Sequence, residues 1–392
     1  MANPLSKDLK LTAEQQAILV NVLYFVEAYD VQDNGLVTLK KLLKEVDKSL
    51  LNENDIRAYE KIKKIVMSDT YLQNLTIWHQ SKVMGYDMQG LNAAVFKDGN
   101  NNAFVVFRGT GNAEWLDNGY GLSGLPEHLH TTQQKEALEY FDKVVEMLGK
   151  DVSITVTGHS KGGNKAQYVT INSQYRDRIT ACFNFDGQGF SPEAIESFKS
   201  KHGAESYQEA VNKMYGFNTQ NDYVNVLGTT VIPEDHLYYF ENVIGSGLNY
   251  FEDHFADAFL NDDGTFLDPV EQGVFSKFVQ NVSDELMSRS PNERAPATNT
   301  VMSILQTFMG EGAEPIGGNV TPEKVIYGLP EVVDTLIAAL GDPASLILWQ
   351  FRFVLLPTVQ IIMESAKGIK ETLKNAGITL WYSVKNLGTG LW

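Results

Sequence analysis

The residues best suited to chemistry are Ser160 and the two glycines beside it, Gly158 and Gly162. They form a G-x-S-x-G pentapeptide between an apolar, β-branched run that begins at Ile154 and a helix-compatible stretch over 163–175. This strand–turn–helix context is typical of a nucleophile elbow, in which glycines permit a sharp turn and the serine hydroxyl stands clear of the sheet. The pattern predicts a nucleophilic Ser160, and an ordinary glycine-rich turn is the alternative.

A serine nucleophile needs a general base, and the base must come from one of the histidines. After a serine elbow of this kind, the acid and then the histidine follow along the chain. Three histidines follow Ser160, namely His202, His236 and His254. His202 lies in a polar helix end and is expected at the surface, whereas His236 precedes a strand.

His254 is the preferred base because it lies in the loop after the last predicted core strand, at the start of a predicted helix. The base of a Ser–acid–His triad belongs in such a loop. A purely structural role, in which His254 packs between Phe251 and Phe255, is the alternative. His236 stays the second candidate for the base.

Two aspartates compete to orient the histidine. Asp222 follows the predicted strand 214–217, and Asp186 ends the predicted strand 179–185. A carboxylate one strand further from the elbow reaches the histidine without crowding the nucleophile, so Asp222 is preferred. The alternative for Asp186 is a turn aspartate before Gly187.

An oxyanion also needs two hydrogen-bond donors. The first is expected from the backbone N–H of Lys161, the residue after the nucleophile, at a helix N-terminus. The second is expected from Thr110, because the sequence Arg-Gly-Thr over 108–110 ends an early strand and Thr110 offers an N–H and a hydroxyl. This chemistry requires no metal and no organic cofactor.

The elements around these residues alternate between strand and helix patterns. The alternation predicts a mostly parallel α/β sheet with helices on both faces. The predicted strands lie at 91–96, 103–107, from Ile154, 179–185 and 214–217, with helices at 131–148 and 192–200. Thr12 and Gln15 form a capping box that opens the helical N-terminal segment.

We predict three parts of the chain. Residues 1–70 form a helical segment that packs on the catalytic domain, residues 71–290 form that domain, and residues 291–392 form a helical C-terminal module. Strand patterns stop after about residue 265, and the later helical patterns lie at 270–287, 301–309 and 322–374. The Pro- and Gly-bearing stretches 290–298 and 310–322 are expected to be linkers.

Four short motifs together carry a family resemblance. The chain resembles the class 3 (fungal-type) lipases and their bacterial relatives over roughly residues 75–265, on the motifs Phe107–Thr110, Trp115–Asn118, Gly158–Gly163 and Asn221–Val224. The sequence Asp-Gly-Gln-Gly over 186–189 departs from the Gly-x-Pro-Arg type of turn common in secreted lipases.

The resemblance implies an α/β-hydrolase fold and a serine carboxylic-ester hydrolase that acts on acyl lipids, as a lipase or phospholipase A. It places the nucleophile, acid, base and oxyanion donors on the residues selected above: Ser160, Asp222, His254, Thr110 and Lys161. It also implies a lid over 112–130, whose apolar side chains suit a lipid surface. A packed loop is the alternative for that segment.

Composition argues against several classes of binding partner. The net charge of −17 disfavours nucleic acid and purely electrostatic membrane docking. The single cysteine, Cys182, is expected to be a buried, inert thiol. Residues 1–7 lack the apolar core of a signal peptide, which predicts the bacterial cytoplasm or secretion without a cleaved signal.

The C-terminal module leaves several functions open. Its segment 346–363 is the most apolar in the chain. It is interrupted by four residues, which argues against a membrane span: Gln350, Arg352, Pro357 and Gln360. A buried helical hairpin is expected there, and transient membrane-surface contact or a helical partner protein is the alternative. The architecture is also similar to antibacterial lipase toxins exported by type VII secretion. A non-catalytic binding module on a hydrolase fold is the third hypothesis.

Overall fold

A single eight-stranded sheet organises the structure. The computed structural model describes residues 9–26, 37–86, 90–111, 113–242 and 252–309, with isolated residues between 328 and 338. The strands lie in the sheet in chain order. They are Thr76–Trp78 (β1), Ala93–Lys97 (β2), Asn102–Phe107 (β3), Ser153–His159 (β4), Ile179–Phe185 (β5), Met214–Thr219 (β6), Leu237–Phe240 (β7) and Pro269–Val270 (β8).

The sheet is mostly parallel, as predicted. Strands β3 to β7 pair in parallel, while β1 and β2 at one edge and β8 at the other pair antiparallel. The helices are Ala13–Phe25 (α1), Leu39–Glu45 (α2), Glu53–Ser68 (α3), Thr70–Asn74 (α4), Trp115–Ser123 (α5), Thr132–Met147 (α6), Lys161–Asn172 (α7), Pro192–His202 (α8), Ala204–Val211 (α9), Val274–Ser288 (α10) and Pro291–Met309 (α11). The chain is therefore a mixed α/β protein.

The chain divides into two compact units. The first comprises residues 1–110, 132–190 and 194–280 and contains the whole sheet. The second comprises residues 111–131, 191–193 and 281–392 and contains α5 and α11. The second unit thus includes three stretches that the sequence assigned to the 71–290 domain, namely 111–131, 191–193 and 281–290.

Helix α1 is part of the core of the first unit. The predicted capping box is confirmed, because the Thr12 hydroxyl accepts the Gln15 N–H and the Gln15 side chain accepts the Thr12 N–H. The helix contacts β3, β4 and β5 and is buried along most of its length. The Asn21 amide donates to the Ala256 carbonyl at 2.7 Å. The N-terminal segment is therefore anchored close to the loop that carries His254.

Two short strands escaped the sequence patterns. Strand β1 comprises three residues, and β8 comprises two residues that pair with β7. The prediction that strands stop after residue 265 is wrong, because β8 lies beyond it. A two-residue edge strand that begins with proline has no alternation to detect, and proline is tolerated only where its missing N–H is not needed.

The predicted linker over 290–298 is also wrong. These residues begin helix α11, which contains Pro296. The Ser290 N–H donates to the Glu293 carboxylate at 3.1 Å in a capping contact. Pro291 occupies the first helical position, where no N–H donor is required. This stretch, with two prolines and a capping serine, is therefore the beginning of a helix and not a linker between two helices.

A buried arginine anchors α11 inside the second unit. Arg294 is fully buried, forms an ion pair with Glu193, and donates to the carbonyls of Ser123 at 3.1 Å and Met287 at 2.9 Å. Arginine is rarely so buried unless its charge is paired and its donors are satisfied. This tertiary contact has no local signature in the sequence around 290–298.

The predicted lid segment contains helix α5. Leu116 and Leu122 in this helix are buried, so these apolar side chains are not exposed as the lid hypothesis expected. Helix α5 packs closely on α11. A methyl group at Gly119 would lie 2.8 Å from the Met302 side chain, which shows how tight the crossing is. Within the second unit, the segment is packed helix.

The remaining predictions for the C-terminal module, including the linker 310–322 and the apolar segment 346–363, lie outside the described residues. None of the helices in the described part of the chain combines the length and the apolarity that crossing a bilayer requires. Cys182 is buried in β5, as predicted, and burial raises the pKa of its thiol to about 12.

Candidate active site

Ser160 lies in a tight turn between β4 and α7. Its backbone has φ +57° and ψ −127°, a conformation that L-residues rarely adopt. Its N–H donates to the Phe185 carbonyl at 2.9 Å. Side chains at Gly158 and Gly162 would come closer than 3.0 Å to backbone atoms of Gly162 and Phe107, respectively. The predicted strand–turn–helix arrangement is thus present, and its strain is held by close backbone packing.

Ser160, His254 and Asp222 are joined by hydrogen bonds. The Ser160 Oγ lies 2.8 Å from His254 Nε2, and His254 Nδ1 lies 2.6 Å from Asp222 Oδ1. For a neutral imidazole, these contacts assign Nδ1–H as donor to Asp222 and the serine O–H as donor to Nε2. The structure therefore brings together the three residues that the sequence selected as nucleophile, base and acid.

The surroundings of Asp222 favour a carboxylate. Its side chain is fully buried, and its Oδ2 accepts the backbone N–H groups of Val224 at 2.9 Å and Asn225 at 2.6 Å. With His254 this makes three donors, and hydrogen bonds from N–H groups stabilise the ionised form. Asp222 can thus stabilise a positive charge on the His254 ring through their hydrogen bond.

The two rival histidines lie elsewhere. The His236 Nδ1–H donates to the Met214 carbonyl at 2.9 Å, at the beginning of β6 and so at the opposite end of that strand from Asp222. His202 Nε2 lies 3.1 Å from the Asn172 amide oxygen, at the end of α7. His254 itself ends a 3₁₀ turn over 252–254 and does not start an α-helix, which corrects that part of the prediction. Phe251 lies outside the described residues.

Both predicted oxyanion donors lie next to the nucleophile in the chain or in space. Lys161 directly follows Ser160, and Thr110 directly follows a glycine that lies beside Ser160. Lys161 is the first residue of α7, whose N-terminus carries partial positive charge. Thr110 follows Gly109, where a methyl group would lie 3.1 Å from the Ser160 Cβ. The donor roles of Thr110 and Lys161 stay predictions.

Tyr24 is a contact that sequence reasoning missed. Its hydroxyl lies 2.8 Å from His159 Nδ1 and accepts the Gly109 N–H at 3.2 Å. The Tyr24 ring also meets the His159 ring edge-on at 5.9 Å. Tyr24 therefore connects α1 to the loop before Thr110 and to the residue before Ser160. No local pattern links it to residues so distant in sequence.

A second carboxyl lies near His254. Asp186 is fully buried, with φ +48°, and its Oδ1 accepts the Thr219 N–H at 2.9 Å. Its Oδ2 has no hydrogen-bond partner among the described residues. Burial, followed by the charge of Asp222, raises the pKa of Asp186 well above its usual range. The Asp186 carboxyl group thus bonds to the last residue of β6, the strand next to the one that Asp186 follows.

His159 is held in its neutral form. Burial, followed by the positive charge that His254 can carry, keeps the pKa of His159 well below its ordinary value. Its ring centre lies 4.8 Å from that of His254. A neutral neighbour leaves His254 free to accept a proton without like-charge repulsion.

Replacing His159 with glutamine is expected to flatten the pH dependence of stability. In the parent protein the unfolded chain binds a proton at position 159 below about pH 6.5, while the folded chain does not. The free energy of unfolding should therefore fall with decreasing pH by up to about 1.4 kcal/mol per pH unit from this residue. Urea unfolding of both proteins between about pH 7 and pH 5 measures the two slopes. Equal slopes would contradict a neutral, buried His159.

Three donor groups could surround a cation. Ligand atoms of His159, Asp186 and His254 lie within 4.8 Å of one another. Both ring nitrogens of His254 are already hydrogen-bonded, to Asp222 and to Ser160. A metal ion would therefore have to replace one of those contacts, so these residues fit the hydrogen-bonded arrangement better than a metal centre.

Part of the chain matches a protein-family model. Residues 66–218 match the family model described as Mbeg1-like, which covers less than half of the chain. The matched segment contains Thr110, Ser160 and Lys161 and ends before Asp222 and His254. The comparison with curated proteins finds no match to this chain.

Proposed function

We propose that this protein is a serine carboxylic-ester hydrolase of the α/β-hydrolase fold. The observation that carries the proposal is the continuous chain of hydrogen bonds from Ser160 through His254 to Asp222. A hydroxyl, an imidazole and a buried carboxylate in this order form the arrangement that activates a serine for acyl transfer. The strained backbone of Ser160 is further support, since strain of this kind clusters at functional sites.

The reaction follows from the positions of these groups. The Ser160 Oγ attacks the ester carbonyl carbon while its proton passes to His254 Nε2, and Asp222 stabilises the imidazolium. The N–H groups of Lys161 and Thr110 hold the negative charge on the carbonyl oxygen. His254 then protonates the departing alkoxide, which leaves an acyl-enzyme. A water molecule, deprotonated by His254, then attacks the acyl carbonyl carbon. His254 returns that proton to the Ser160 Oγ as the carboxylic acid leaves.

The proposed substrates are acyl lipids, cleaved as by a lipase or phospholipase A. This part of the proposal rests on the resemblance to class 3 lipases over 75–265, because the triad geometry alone is common to many ester hydrolases. The bond proposed to break is the carboxylic ester of such a lipid.

A fluorophosphonate probe tests the proposal directly. The parent protein should be labelled covalently, and peptide mapping should place the label on Ser160. Lipid extracts analysed by mass spectrometry before and after incubation should show loss of an acyl ester and gain of free fatty acid. Absence of labelling at Ser160 in folded protein would favour a non-catalytic binding module instead.

Replacing Tyr24 with phenylalanine is expected to lower kcat about tenfold and leave KM nearly unchanged. The phenyl ring keeps the packing on His159, but the hydroxyl contact with His159 Nδ1 and the acceptor for the Gly109 N–H are both lost. One hydrogen bond contributes about 1 kcal/mol, and its loss would loosen the loop that carries Thr110. Because the oxyanion develops only in the transition state, the effect should appear in kcat.

Tyr71→Phe is the matched control for that variant. It removes a hydroxyl that bonds Asp98 Oδ2 at 2.6 Å, and Asp98 precedes β3 at the opposite end of that strand from Gly109. Its kcat should equal that of the parent protein. Equal losses in the two tyrosine variants would indicate general destabilisation and contradict a role for Tyr24 at the site.

A further inference from the structure

Asp186 poses a physical question that the triad does not answer. A fully buried carboxyl group keeps one oxygen without a hydrogen-bond partner among the described residues. Leaving a buried polar atom unsatisfied costs about 1–3 kcal/mol, and such atoms are uncommon enough to require a reason. The positions of Asp222 and His254 suggest why the Asp186 oxygen is left unpaired.

Asp186 and Asp222 reach the same histidine from adjacent strands. Asp186 directly follows β5 and Asp222 follows β6, and these two strands are parallel neighbours. A carboxyl oxygen of Asp186 lies within 4.8 Å of a ring nitrogen of His254. A hydrogen bond of about 2.8 Å would need an approach of no more than about 2 Å. Rotation of the two side chains can provide a movement of that size.

The hydrogen bonds explain which of the two carboxyl groups is ionised. Asp222 accepts two backbone N–H groups and the His254 N–H, whereas Asp186 accepts the single N–H of Thr219. Two carboxylates beside each other in a buried site cannot both carry charge without a large penalty. The negative charge is therefore better accommodated on Asp222, and burial together with that neighbouring charge disfavours a second charge on Asp186.

We propose that Asp186 is a second acid for His254, silent while Asp222 is ionised and able to replace it when the charge at position 222 is removed. This inference rests on the proposed function. In that state Asp186 loses its proton to solvent, and its carboxylate accepts the imidazole N–H that Asp222 accepted. The Ser160 proton still moves to the other ring nitrogen, so the reaction steps are unchanged.

A double-mutant cycle on ester hydrolysis tests the replacement. Removing the acid of a serine triad typically lowers kcat about 10⁴-fold. We expect Asp222→Ala to lower it only about 10²-fold here, and adding Asp186→Asn to lower it at least about tenfold further. The factor for Asp186→Asn should be at least about tenfold larger in the Asp222→Ala background than in the parent background. A merely structural Asp186 would give the same factor in both backgrounds and overturn the proposal.

One control variant and one alternative variant complete this test. Asp142→Asn changes another aspartate, on α6, which bonds Ser173 at the far end of α7, and its factor should be the same in both backgrounds. If Asp222→Ala does not fold, Asp222→Asn keeps an oxygen that can accept the Val224 and Asn225 N–H groups. The same inequality between backgrounds is expected with that variant.

A spectroscopic readout makes the outcome independent of catalysis. In Ser160→Ala protein at neutral pH, the His254 N–H bonded to a carboxylate should give a low-field proton NMR resonance. We expect this resonance to persist when Asp222→Ala is added and to vanish when Asp186→Asn is added as well. Its loss in Ser160→Ala/Asp222→Ala protein would overturn the proposal. A parent protein without fluorophosphonate labelling would instead contradict the proposed function, and the resonance would still decide the role of Asp186.

Discussion

Ser160→Ala is expected to lower kcat for ester hydrolysis about a millionfold and to abolish fluorophosphonate labelling. The variant removes the only atom that can form the acyl-enzyme in the proposed reaction. It leaves the His254–Asp222 hydrogen bond in place, so the fold and the substrate site should be retained. Hydrolysis of short p-nitrophenyl esters by purified parent and variant proteins measures the difference.

Ser173→Ala is a matched control at the other end of the same helix. Ser160 precedes the first residue of α7 and Ser173 follows the last one, and both serines are buried. The Ser173 hydroxyl bonds Asp142 and accepts the Tyr175 N–H at 2.9 Å, away from the nucleophile. Its loss should change stability but not kcat. Parent-like hydrolysis by Ser160→Ala would contradict the proposed mechanism, and a large fall with Ser173→Ala would indicate damage to α7 as a whole.

The candidate site could be selected from sequence because its parts follow topological rules. In a sheet built from successive parallel strands, the residues that follow each strand meet at one edge. The elbow at Ser160 and the strand before Asp222 were therefore enough to expect the two residues together. Chain order left three histidines, and the position of His254 after the last predicted core strand made it the preferred base. Their distances follow from tertiary structure, which no spacing in the sequence encodes.

The features that sequence reasoning missed depend on long-range contacts. Tyr24 meets His159 across 135 residues, and Arg294 reaches Ser123 across 171. From sequence alone, a tyrosine within an apolar helix is expected to be a core residue, and a stretch with two prolines is expected to be a linker. The raised pKa of Asp186 is not visible in the local sequence either, because its causes are burial and the charge of Asp222.

Gly162→Ala is expected to lower the free energy of unfolding by about 3 kcal/mol, the upper end of the usual cost of overpacking. A methyl group at this position would lie 2.7 Å from the Arg108 carbonyl oxygen and still closer to that of Phe107. These are backbone atoms at the end of β3, so they cannot rotate away as a side chain would. Relief requires α7 and β3 to separate.

The same separation would displace the segment Arg108–Thr110 from Ser160, so kcat should fall together with stability. Gly99→Ala is the control, because a methyl group there meets no atom within 4 Å. Replacing a glycine in open space changes stability by less than about 1 kcal/mol. Urea unfolding and ester hydrolysis of both variants measure the two effects. Parent-like stability and kcat in Gly162→Ala protein would contradict this prediction. The tight contact between α7 and β3 would then not be needed to position the segment Arg108–Thr110.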